Sequence, residues 1–81
     1  MRPALARQVV GVAAGSLDGL ELRLRDGARV LYGLAAEQPA KDTAVLLVQR
    51  RLDKEGRRLV RIDVRAPSTP TVVAAEKPAR G

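Results

Sequence analysis

The 81-residue chain has no cysteine, histidine, tryptophan or phenylalanine, and its single aromatic residue is Tyr32. Each absence removes a class of function. Without cysteine there is neither a disulfide framework nor thiolate ligation of zinc, and the redox compartment stays open. Without histidine, the commonest metal ligand and the commonest general base are missing together. With one aromatic ring, a core has to be assembled from Val, Leu, Ile and Ala, and a base-stacking surface lacks its platforms. No apolar run approaches the ~20 residues needed to cross a bilayer, and Met1-Arg2-Pro3-Ala4-Leu5 lacks the hydrophobic stretch of a signal peptide.

What is present is aliphatic and basic. At this length roughly 60% of the unfolded surface can be buried, so one modest core and one domain are the ceiling. The nine carboxylates mostly alternate with basic residues or sit in predicted turns, where ordinary pKa values are expected. The expectation is therefore a non-enzyme, with no catalytic residue, cofactor, metal site or small-molecule substrate. A formal charge of +6 and a pI near 11.1 permit nucleic-acid or anionic-membrane binding. Arginine, however, is scattered from Arg2 to Arg80 rather than gathered in a block, which reads as a solvated basic surface.

Periodicity predicts the elements. Residues 3–7 suit the end of a helix, and 8–14 a short apolar strand carrying Val9, Val10 and Val12. Leu20-Glu21-Leu22-Arg23-Leu24-Arg25 alternates strictly, as a strand with one buried and one wet face does. Asp26-Gly27 and the run Ala28 to Tyr32 complete a hairpin. A two-residue loop would set Arg23 and Arg25 beside Val30 and Tyr32. A three-residue loop with Gly27 left-handed instead pairs Leu24 with Ala28, Leu22 with Val30 and Leu20 with Tyr32, and this register is expected.

From residue 39 to 54 the period becomes helical, with Ala40, Ala44, Val45, Leu47, Val48 and Leu52 on one side. Asp42, Gln49, Arg50 and Asp53 fall opposite, and Leu46 projects toward that polar side. Pro39 suits the first turn and Gly56 the stop. Residues 59–65 predict a strand with Val60, Ile62 and Val64 inward and Arg61, Asp63 and Arg65 outward. Residues 66–73, interrupted by Pro67 and Pro70, belong on a sheet edge or beyond it, and 74–81 read as a disordered tail. The fold class expected is α+β: a small mixed sheet of β-β-β-α-β order, one helix on one face, the last strand at or near an edge.

The run Leu22-Arg23-Leu24-Arg25-Asp26-Gly27-Ala28-Arg29-Val30-Leu31-Tyr32-Gly33, then a helix with the early Lys41, then Ile62-Asp63-Val64-Arg65-Ala66-Pro67-Ser68-Thr69-Pro70, resembles the extracytoplasmic β domain of the FtsQ/DivIB family of bacterial cell-division proteins. The resemblance spans residues 2–73 and rests on the order and spacing of the motifs. It implies a partial β domain of a non-catalytic scaffold of the division complex, acting in septum formation on the extracytoplasmic face of the cell membrane. In the family a transmembrane helix and a POTRA domain lie upstream; the chain carries neither, is itself expected to be soluble, and meets the membrane only through that anchor. The resemblance also implies FtsB/DivIC-type and FtsL-type partners, the former adding a strand to the last strand of the sheet. By position the partner-binding residues are Val60, Arg61, Ile62, Asp63, Val64, Arg65 and Ala66, with Ser68 just beyond. Some branches of the family place an aromatic residue directly after the Asp-x-Arg unit, where Ala66 and Pro67 stand here.

The alternative is a small basic nucleic-acid-binding domain, with Arg57, Arg58, Arg61 and Arg65 lining one surface. It lacks stacking aromatics and any helix-turn-helix or zinc-finger pattern. A third reading is a structural insert of a larger enzyme.

Overall fold

A computed structural model describes residues 1–16, 19–34 and 36–77. Along the chain come α1 (Pro3–Ala6), β1 (Val9–Ser16), β2 (Gly19–Leu24), β3 (Arg29–Gly33), α2 (Gln38–Lys54), β4 (Arg57–Asp63) and β5 (Thr71–Glu76). The strands form one mixed sheet in the order β1-β2-β3-β4-β5. The first three make an antiparallel meander; α2 then carries the chain across one face so that β4 runs parallel to β3, and β5 returns antiparallel on its far side. The α+β class and the helix-covered sheet are as the periodicities predict, with β5 as an additional strand.

The hairpin closes in the three-residue form. Gly27 has φ +94°, Leu22 lies opposite Val30, and the Leu24 N–H donates to the Ala28 carbonyl at 2.8 Å. Only this register puts the apolar residues of both strands on one face, where Leu22, Leu24, Val30 and Tyr32 are buried. Leu20, expected opposite Tyr32, faces Gly33 instead, because an irregularity between Leu20 and Glu21 inserts one residue of β3. The chains approach closely there: a Cβ on Gly19 would stand 2.4 Å from the Gly33 carbonyl carbon, so this crossing requires glycine.

The core joins these residues to Leu5, Ala28, Val45, Leu52, Leu59, Ile62 and Val64. Each fully buried Leu, Ile or Val contributes roughly 1.5–3 kcal/mol, so an aliphatic core of this size suffices for a small domain but leaves little margin. In β4 the inward residues are Leu59, Ile62 and Val64; Val60, expected inward, is only half-buried because the strand bulges between Leu59 and Arg61.

Helix α2 packs Ala44, Val45, Val48 and Leu52 of its expected face on the core, but Ala40 and Leu47 turn outward and Asp42 turns inward. Lys41, Asp42, Val45 and Leu52 are buried, Leu46 packs against the core, and Leu47 is 59% exposed. The stripe through Asp42, Val45, Gln49 and Leu52 is apolar only in part, and the polar members are satisfied by the rest of the fold. Asp42 accepts the Tyr32 hydroxyl at 2.7 Å and the Arg2 backbone N–H at 2.6 Å. Gln49 exchanges hydrogen bonds with Gln8, and Lys41 donates to the Leu34 carbonyl at 2.6 Å with its ammonium 5.3 Å from the Tyr32 ring centroid. Burial first, then the Asp42 hydrogen bond and charge, push the Tyr32 hydroxyl well above the ordinary phenol range, so it stays a donor. Asp42 thus ties the N-terminal segment, the helix and the sheet together.

Candidate functional site

The residues expected to bind a partner lie on β4 and the turn after it, and β4 is not an edge. It is flanked by β3 through Arg29–Arg61, Val30–Ile62 and Leu31–Asp63, and by β5 through six further pairs. The Val64 N–H donates to the Leu31 carbonyl at 3.0 Å, so by alternation Ile62 and Val64 direct their backbone groups to β3, and Arg61 and Asp63 direct theirs to β5. The backbone groups of Arg61, Ile62, Asp63 and Val64 are therefore engaged within the chain. Ile62 and Val64 are also fully buried under α2. The expectation failed because residues 71–76, assigned in part to an irregular segment and in part to a disordered tail, form a strand. After Pro70 the run Thr71-Val72-Val73 has the β-branched composition that favours pairing.

Among the described residues the edge strand on this side is β5. The Lys77 N–H donates to the Gly56 carbonyl at 3.1 Å, which sets the phase of the strand. Alternation then turns Val73 and Ala75 toward β4 and leaves the N–H and C=O groups of Val72, Ala74 and Glu76 facing outward. The end of β5 is fastened by the same backbone bond and by a 3.1 Å ion pair between Lys77 and Asp53. Ala74, Ala75 and Glu76 are thus strand residues; residues 78–81 of the expected tail lie outside the described residues. The opposite edge, β1, is bent by two register shifts, between Val9 and Gly11 and between Ala13 and Ser16. Both extra residues lie on β1 itself, which breaks its outward ladder, whereas β5 runs regularly past the bulge of β4.

On the face away from α2, Leu31, Arg61, Asp63, Arg65, Thr71 and Val73 line a shallow groove of about 250 Å³. Here Asp63 is bound twice by the Arg65 guanidinium, at 3.0 and 2.6 Å, and accepts the Arg65 backbone N–H at 3.0 Å. The Arg65 hydrogen bond, followed by its backbone bond and charge and that of Arg61, holds the Asp63 carboxyl below its usual value against a smaller opposing effect of burial. An ordinary pKa, expected from sequence, does not hold at this residue. Because the folded-state pKa is depressed, the stabilisation is present at neutral pH and fades as the pH falls below roughly 4. Replacing Arg65 with glutamine should return the Asp63 titration, followed by carboxyl-carbon NMR, to the ordinary carboxylate range. Ala66 and Ser68 are exposed in the turn that follows, closed by the Thr69 N–H on the Ala66 carbonyl at 3.0 Å.

The four arginines of the nucleic-acid alternative do not share one surface. Arg61 and Arg65 line the groove, Arg58 lines a separate hollow with Gln49, Asp53 and Lys77, and Arg57 lies 3.7 Å from Glu55. Among the described residues no helix is long and apolar enough to cross a membrane, and no three His, Cys, Asp or Glu side chains gather as a metal site. Comparison of the chain with protein-family models, with curated proteins and with solved structures finds no match.

Proposed function

We propose that this chain is a non-catalytic interaction module of the bacterial division complex, of FtsQ/DivIB type, and that a partner binds it by adding a strand to the outer edge of β5. The observation that carries the binding mode is the regular edge of β5, with the backbone groups of Val72, Ala74 and Glu76 directed outward beyond a strand already fastened at its end. Main-chain hydrogen bonds give such an interaction its affinity, and the side chains beside the edge give it selectivity. The family reading is supported by the ordered motifs of residues 22–33, 41 and 62–70, and it brings with it an FtsB/DivIC-type partner, an FtsL-type companion and an extracytoplasmic location. The strand-accepting residues move one strand outward from those the family pattern implies, because β5 covers β4. The nucleic-acid reading has less support, since Tyr32, the one aromatic ring of the chain, is fully buried and offers no base a stacking surface.

Amide hydrogen exchange of the chain titrated with the extracytoplasmic segment of an FtsB/DivIC-type protein tests this. The Val72, Ala74 and Glu76 amides should gain protection while Val73 and Ala75 keep theirs. Loss of protection at Val73 and Ala75 would mean that the incoming strand displaces β5 and pairs with β4. Protection confined to β1, or none, would defeat the reading.

A further inference from the structure

On the sheet face opposite α2 the register aligns three arginines, Arg23, Arg29 and Arg61, all exposed among the described residues. Arg23 lies opposite Arg29, and Arg29 opposite Arg61, with Gly11 and Val73 continuing the line at either end. Neighbouring strands are ~4.8 Å apart, so three cations share a line of about 10 Å. Like charges directly opposite one another repel. None of the three makes an ion pair or a side-chain hydrogen bond among the described residues. Arg23 instead folds back over Gly11, its Nε 3.2 Å from where a Cβ would stand. The adjacent row holds Glu21, Leu31 and Asp63. Asp63 is committed to Arg65, and Glu21 forms no ion pair among the described residues.

We propose that this face docks an acidic polypeptide segment whose carboxylates settle on Arg23, Arg29 and Arg61. Charge complementarity identifies the sign of the occupant, and the net +6 charge would speed its approach. The neighbours of the row identify its class. Half-buried Leu31 and Val73, 51% exposed, offer apolar contact to peptide side chains, whereas a nucleic-acid strand would find no ring to stack on. The surface lies on the flat of the sheet, not along the backbone edge of β5, so it stands or falls separately from strand addition.

The test is fluorescence anisotropy of a labelled oligo-glutamate peptide with the full chain at low salt. The triple variant R23Q/R29Q/R61Q should bind it about tenfold or more weakly, while R50Q/R51Q/K54Q, which removes the same charge from exposed positions of α2, should change affinity by no more than about threefold. Circular dichroism should show both variants folded, since neither alters a buried side chain. Ala74→Pro, which blocks the β5 edge, should leave peptide affinity unchanged. Equal losses in the two triple variants would reduce the effect to net charge and overturn the proposal. So would loss of peptide binding in Ala74→Pro, or row-dependent binding of oligothymidylate or of phosphatidylglycerol-containing vesicles in place of the peptide.

Discussion

Replacing Asp42 with alanine is expected to lower stability by about 2–4 kcal/mol, because two donors lose a charged acceptor at once. Tyr32 is fully buried and its hydroxyl loses its acceptor, and the Arg2 N–H is one of the anchors of the N-terminal segment. Once that anchor is gone, Leu5, which is fully buried, is held less firmly over the core. For a domain of this size the melting temperature should fall by roughly 10–25 °C. Tyr32→Phe should cost less, about 1–2 kcal/mol, since Asp42 keeps the Arg2 N–H and loses only one partner. The double variant should be less destabilised than the sum of the two, by about 1 kcal/mol, because the hydroxyl and the carboxylate act as a pair. Thermal denaturation of the four proteins measures all three values. Strict additivity would mean that the Tyr32–Asp42 bond is not coupled to folding.

Proline substitutions in β5 should separate binding from folding by parity alone. In Ala74→Pro the lost N–H faces outward, so no internal rung breaks, and the ring occupies the space an added strand needs. The chain should keep its circular dichroism, change stability by no more than about 1 kcal/mol, and lose at least about tenfold in affinity for a strand-adding partner. In Ala75→Pro the lost N–H faces β4, opposite Arg58, and β5 itself should loosen. That variant should be the less stable of the two. Titration calorimetry with the partner segment, run beside thermal melts, distinguishes the cases. An Ala74→Pro chain that binds as tightly as the parent would exclude strand addition at this edge.

Much of the fold is legible in the sequence because it is written in short-range patterns. The alternation of Leu20 to Arg25, the Asp26-Gly27 turn and the need to keep Leu22 and Val30 on one face are enough to set the hairpin register. Pro39 and Gly56 bracket the helix in the same local way, and Gly56 indeed ends it at φ +69°. The helix face is harder. Asp42 and Gln49 look like surface residues because their partners, Tyr32, Arg2 and Gln8, come from other elements, and a buried polar residue is invisible until its partners are known. The position of the sheet edge is hard to read for a related reason. Whether 59–65 is a border strand depends on what residues 71–76 do, and a proline-interrupted segment carries weak local preference of its own.

The amino-acid sequence by itself determined the absence of cysteine and histidine chemistry, the aliphatic character of the core, the hairpin, the helix and the α+β class. These follow from residue identity and from periods of two or 3.6, which neighbouring residues express without reference to the rest of the chain. Only the tertiary structure decided that β5 closes over β4, that Asp42 is buried between three elements, and that Arg23, Arg29 and Arg61 stand in one line. The last two depend on the parallel pairing of β3 with β4 across the helix or on contacts between segments tens of residues apart, while the first joins consecutive strands across a proline-interrupted turn with little local preference of its own. Such long-range contacts form only when burial of the shared core repays the entropy of closing the loops between them, and no local pattern encodes that balance.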